Sequence, residues 1–157
     1  MRITLVNNLS ARGYQLSPPP SDVRIEYATP SGVCAAAQEN KCDAALLPAV
    51  WLPKLEQYEP LGRYGIACRG PVRSVMLFSH LPLYNIIRNG LPIHVTPASQ
   101  TSARLFALLC MRNFGRPPIY AGADKCAAGE LLIGDEAVVA SLSGVWPHST
   151  DLSAWWQ

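Results

Sequence analysis

Paired cysteines, clustered basic residues and long apolar runs are all missing from this chain of 157 residues. The five cysteines, Cys34, Cys42, Cys68, Cys110 and Cys126, are odd in number and none forms a Cys-x-x-Cys pair. Neither a disulfide framework nor a zinc knuckle is therefore suggested. Unpaired thiols of this kind suit a reducing compartment. A net charge of +2 with no lysine or arginine cluster gives no electrostatic footprint for nucleic acid. No apolar stretch reaches the length of a membrane helix, and Met1-Arg2-Ile3-Thr4-Leu5-Val6 lacks the features of a signal peptide. The expectation is a cytoplasmic protein with no nucleic-acid or membrane partner. His80, His94 and His148 lack metal-ligand spacing, and neither a Gly-x-Ser-x-Gly elbow nor a phosphate loop occurs.

What is present is an apolar chain, 49% hydrophobic and 15% charged, long enough to bury a real core. Strand-like runs at residues 3–6, 23–27, 43–47, 64–68, 72–79, 93–95 and 130–133 alternate with helix-compatible runs at 33–40, 50–55, 101–111 and 135–141. Thr29-Pro30-Ser31 provides a helix start. Such alternation predicts an α/β fold with mostly parallel sheets. Turn residues between His80 and Pro92 suggest a crossover, dividing a first lobe (1–80) from a second (81–157). In open α/β sheets ligands bind beyond the carboxyl ends of strands, so a cleft between the lobes is the expected site.

Three segments place small hydroxyl or acidic residues at such ends. Ser99-Gln100-Thr101-Ser102 precedes the apolar helix begun by Ala103 and Leu105. Its hydroxyls could cap the helix, a role contributing about 1 kcal/mol, or share a bound carboxylate with the free amides. Gly134-Asp135 is a second strand-to-helix junction, where Asp135 could cap or accept a bond from a ligand hydroxyl. Ser74 interrupts the apolar run Val72 to Phe78 beside Arg73. Adjacent strand residues face opposite sides, so only one of the two would face a cleft. Arg69 and Arg73 are candidate carboxylate partners, because guanidinium binds carboxylates bidentately.

Taken in order, these segments resemble the chorismate dehydratase family of the futalosine route to menaquinone. The resemblance also rests on Arg2-Ile3, Leu9-Ser10-Ala11-Arg12, Pro30-Ser31, Asp43-Ala44-Ala45-Leu46-Leu47-Pro48, Gly70 to Ser79, Leu132 to Ala137 and Asp151-Leu152-Ser153-Ala154-Trp155. It implies a bilobal fold like type 2 periplasmic binding proteins. It further implies a small-molecule substrate, chorismate or a similar carboxylate, and, for chorismate, conversion to 3-[(1-carboxyvinyl)oxy]benzoate by loss of water, with no metal and no organic cofactor. Ser99, Thr101 and Ser102 would hold a carboxylate, with Ser74 and Asp135 as further substrate contacts. Ser10 stands where the family carries a substrate-facing asparagine and is the candidate catalytic residue; Asn7 or Asn8 could supply the amide instead. The family continues from its Asp-Leu…Trp segment into Thr-Gly-Leu-Pro-Phe and returns to the first lobe, whereas this chain stops at Gln157. The expectation is therefore a truncated chain, or a homodimer covering the exposed sheet edge. The rival readings are a non-catalytic carboxylate-binding protein of the same fold and the sister naphthoate synthase activity.

Overall fold

Arg2–Val6 (β1), Arg24–Ala28 (β2) and Ala44–Ala45 (β3) form a sheet in the order β2-β1-β3, with both pairings parallel. The structure is a computed structural model that describes residues 1–15, 17–96, 99–122 and 126–157. Parallel strands need a crossover, and the helix Pro30–Gln38 (α1) supplies the one from β2 to β3, which flank β1. The Thr29 hydroxyl caps it by accepting the Gly32 amide at 3.2 Å. Pro30 opens the helix at a position whose missing N–H is no loss. Val33 packs with Val6 and Ala11, and Ala37 with Cys42 and Leu55. The Tyr58 hydroxyl donates to the Cys42 carbonyl at 2.7 Å and ties the following loop to this small core.

The second sheet is built from Val75–Ser79 (β4), Pro92–Val95 (β5), Ile119–Tyr120 (β6), Gly129–Ile133 (β7) and His148–Asp151 (β8), in the order β6-β5-β7-β4-β8. Helices Leu83–Asn89 (α2), Gln100–Phe114 (α3), Gly134–Ser143 (α4) and Leu152–Trp156 (α5) accompany it. Successive β4 side chains enter different cores. Leu77 joins Ile93, Leu131, Ile86, Phe106 and Leu152, whereas Met76 and Phe78 join Ala137 of α4. A strand covered on both faces reads as an unbroken apolar run, which is why Val75-Met76-Leu77-Phe78 shows no alternation. Each such side chain, fully buried, contributes about 1.5–3 kcal/mol. Gly129 is forced by closeness, since a Cβ there would lie 2.5 Å from the Phe78 carbonyl oxygen.

The α/β expectation holds, and the first sheet is fully parallel. The second is mixed, because β4 runs antiparallel to both β7 and β8 while β5 is parallel to β6 and β7. The chain divides into compact units at Met1–Ala67 and Cys68–Gln157, not at residue 80. The reason is that β4 is zipped between β7 and β8. Tyr64 to Cys68 forms no strand; Tyr64 is 88% exposed, and among the described residues no strand pairs with the segment. The presumed crossover contains α2, closed by Gly90 at φ +63°. Among the described residues no helix is long and apolar enough to cross a membrane.

Candidate functional site

Strand direction gathers the candidate residues of the second unit at one sheet edge. Val95 of β5 lies opposite Leu131 of β7, and Val75 of β4 opposite Ile133 of β7. Asp151 of β8 lies opposite Met76 of β4. The carboxyl ends of β5, β7 and β8 therefore meet the amino end of β4. That edge carries Ser74, the start of α3 at Ser99, the Gly134-Asp135 start of α4, and Asp151. With β7 between them, the relevant ends of β5 and β4 stand about 10 Å apart.

Ser99 is the most informative of these residues. Its amide donates to the Thr96 carbonyl at 2.9 Å, which turns the chain back from β5, and its own carbonyl accepts the Ala103 amide at 2.9 Å to begin α3. Yet its hydroxyl caps nothing. The residue is 1% exposed and its Oγ has no hydrogen-bond partner among the described residues. An unpaired buried hydroxyl costs about 1–3 kcal/mol, so this group stands out among the described residues. Thr101 is exposed and Ser102 half-buried in the first turn, where amides lack intrahelical acceptors and the helix end is electropositive. No acidic side chain occupies that turn.

Contrary to the expectation of a place inside a strand, Ser74 lies immediately before β4, half-buried, with its carbonyl accepting the Gly134 amide at 2.8 Å. This bond sets Ser74 next to Asp135. Asp135 is exposed in the first turn of α4 with Glu136 beside it, and the side chain of Ile133, at the N-cap, makes no cap. It also lines an open depression of about 510 Å³ with Glu130, Leu132, Glu136, Val139 and Trp146. Three acids and no base line that depression, which disfavours an anion there.

Ser10 belongs to the first unit. It is exposed in the 3₁₀ turn Leu9–Gln15 and donates to Asn8 Oδ1 at 2.7 Å, where the Ala11 amide also donates at 3.2 Å. The structure thus brings Ser74, Ser99, Thr101, Ser102 and Asp135 to one edge and places Ser10 in the other unit.

Asp151 is the residue that motif reading undervalued. One carboxylate oxygen accepts the Val72 and Arg73 amides, each at 2.8 Å. The other accepts the Ser153 and Ala154 amides at 2.9 and 3.1 Å, capping α5. An aspartate just before a short helix signals the cap; nothing local signals the loop. The Tyr120 hydroxyl donates to the Ala103 carbonyl at 2.6 Å, holding β6 to the first turns of α3, and burial, with a smaller effect of Cys110, pushes its phenol up to about 12. Among the described residues no group of three or more His, Cys, Asp or Glu side chains could hold a metal.

Solved structures resemble the fold at low identity. The periplasmic aliphatic sulphonate binding protein SsuA from Escherichia coli superposes with a TM-score of 0.51 at 15% identity, covering 97% of this chain and 59% of that one. The PA01 protein of Pseudomonas aeruginosa, provisionally assigned to the LysR transcriptional regulators, gives 0.43 at 12% identity over 85% of this chain and 53% of that one. The chain therefore spans between 53% and 59% of the length of these two solved chains. The likeness to SsuA shows an α/β fold of the periplasmic-binding-protein kind. No curated protein matches the chain in sequence. A family described as menaquinone biosynthesis matches residues 5–157, and to that family this chain belongs.

Proposed function

We propose that the chain is a chorismate dehydratase of menaquinone biosynthesis, with its acid-binding edge on the second unit. The observation that carries this reading is the buried Ser99 hydroxyl at the start of α3, which has no partner among the described residues. There it would donate to one carboxylate of chorismate, together with the amides and hydroxyls of Thr101 and Ser102. Ser74 would add a polar contact, and Asp135 would accept a bond from a substrate hydroxyl. Ser10 is assigned the substrate contact that the family resemblance gives its position. In the reaction a ring proton leaves, its electron pair completes the aromatic ring, and the hydroxyl departs as water. Oriented donors stabilise the charge that builds during such a step.

The test is to incubate the purified chain with chorismate and look for 3-[(1-carboxyvinyl)oxy]benzoate by mass spectrometry. Product formation that is lost in Ser99→Ala is expected; unchanged chorismate with no thermal shift would refute the reading. A second reading, a carboxylate-binding protein without catalysis, is favoured by one observation. The Ser10 hydroxyl that stands in for the family amide is already committed to Asn8. Chorismate that raises the melting temperature yet is recovered intact would select it.

A further inference from the structure

Resting on that reading, we infer that Arg73 recognises a second carboxylate on the ligand and that Asp151 is the residue that positions it. Arg73 adopts φ +56°, the left-handed region that arginine enters only under constraint. The constraint is visible: Asp151 Oδ2 accepts the Val72 and Arg73 amides together, while Oδ1 is fixed on the Ser153 and Ala154 amides. An anchored carboxylate with four amide donors therefore dictates the backbone from which Arg73 projects. The Arg73 side chain is exposed, and among the described residues its guanidinium has no hydrogen bond or ion pair. Left-handed backbone on a non-glycine residue beside a candidate site is strain that the surrounding structure must hold in place.

Placement gives that strain a purpose. Ser74 follows Arg73 directly, at the edge that also carries the start of α3. Two electropositive features thus share one edge: helix amides with the Ser99 hydroxyl on the β5 side, and a planar, permanently charged fork on the β4 side. A ring bearing two carboxylates matches both; a ring bearing one matches only the first.

The experiment compares the full chain with Arg73→Gly, Arg73→Lys, Asp151→Ala and the Arg73→Gly/Asp151→Ala double variant. Dissociation constants are measured calorimetrically for isophthalate, which has two carboxylates, and benzoate, which has one. Glycine keeps the left-handed backbone without strain, so Arg73→Gly removes the guanidinium alone. It should weaken isophthalate at least about tenfold, as loss of a charge-assisted pair implies, and change benzoate by less than about twofold. Lysine should restore part of the loss. Asp151→Ala should reproduce the isophthalate loss, and the double variant should be no worse, as residues acting through one contact are not additive. Native-like isophthalate binding by Arg73→Gly overturns the inference, as does an Asp151→Ala defect equal for both acids. Chorismate turnover measured alongside separates the two claims. Turnover unchanged in Arg73→Gly sinks the inference and leaves the dehydratase reading standing. Arg73-dependent isophthalate binding without turnover does the reverse, and a native chain that neither binds isophthalate nor turns over chorismate refutes both.

Discussion

The amide of Gly134 donates to the carbonyl of Ser74 at 2.8 Å, one step beyond the Val75–Ile133 pair that ends the β4–β7 ladder. This bond, made at Gly134 φ +62°, is what sets the start of α4 against the residue preceding β4. A Cβ in that conformation costs about 1–2 kcal/mol. Gly134→Ala should lower unfolding free energy by about that amount and weaken chorismate binding as Ser74 and Asp135 lose their register. Urea denaturation with an unaltered midpoint would contradict it.

Ser99→Ala separates a ligand-directed hydroxyl from an ordinary cap. A capping serine lost to alanine costs about 1 kcal/mol of stability. The Ser99 hydroxyl makes no cap and is buried without a partner among the described residues, so its removal should instead stabilise the chain, by about 1 kcal/mol. Affinity for chorismate should fall. A Ser99→Ala chain that melts earlier than the native one would show that the hydroxyl does structural work.

Asp43 makes the first unit sensitive to acid. Its Oδ2 accepts the Arg2 amide at 2.6 Å, and this bond first, with the Arg2 side chain helping, holds the carboxyl below the usual aspartate value despite some desolvation. A depressed folded-state value means the contribution is present above the ordinary aspartate range and disappears as pH falls through the lowered value. Asp43→Asn should therefore flatten the acid limb of the stability curve while leaving the slope near neutrality unchanged. Superimposable acid limbs for the two chains would rule this out.

Thiol reactivity should divide the cysteines by burial. Cys68 and Cys126 are exposed, whereas Cys34, Cys42 and Cys110 are buried. Burial raises the Cys34 thiol and pushes Cys110 up to about 12. Since the thiolate is the nucleophile, iodoacetamide at mildly alkaline pH should modify Cys68 and Cys126 first, and the other three only with denaturant. Early labelling of Cys110, read by peptide mass spectrometry, would mean that the α3 packing described above is wrong.

Much of this could be read from the residues themselves, because the causes are local. Thr29-Pro30 opens α1 through a cap and a fixed φ; the apolar period from Ala103 onward makes α3; Ser99, Thr101, Ser102 and Asp135 stand out as polar groups where strands end and helices begin. What the tertiary structure alone decided is direction and partnership. A run such as Val75-Met76-Leu77-Phe78 looks the same whether its neighbours run parallel or antiparallel, yet the antiparallel placement of β4 is what brings Ser74 to the edge that carries Ser99 and Asp135. Local pattern names Ser99 as a cap, and only packing leaves its hydroxyl buried and, among the described residues, unpaired. Asp151 and Val72 are 79 residues apart, so no window of sequence contains both the carboxylate and the loop that it bends. Helices and strands follow from forces acting over a few residues; the shared edge exists because distant segments compete for the same hydrogen bonds and the same core.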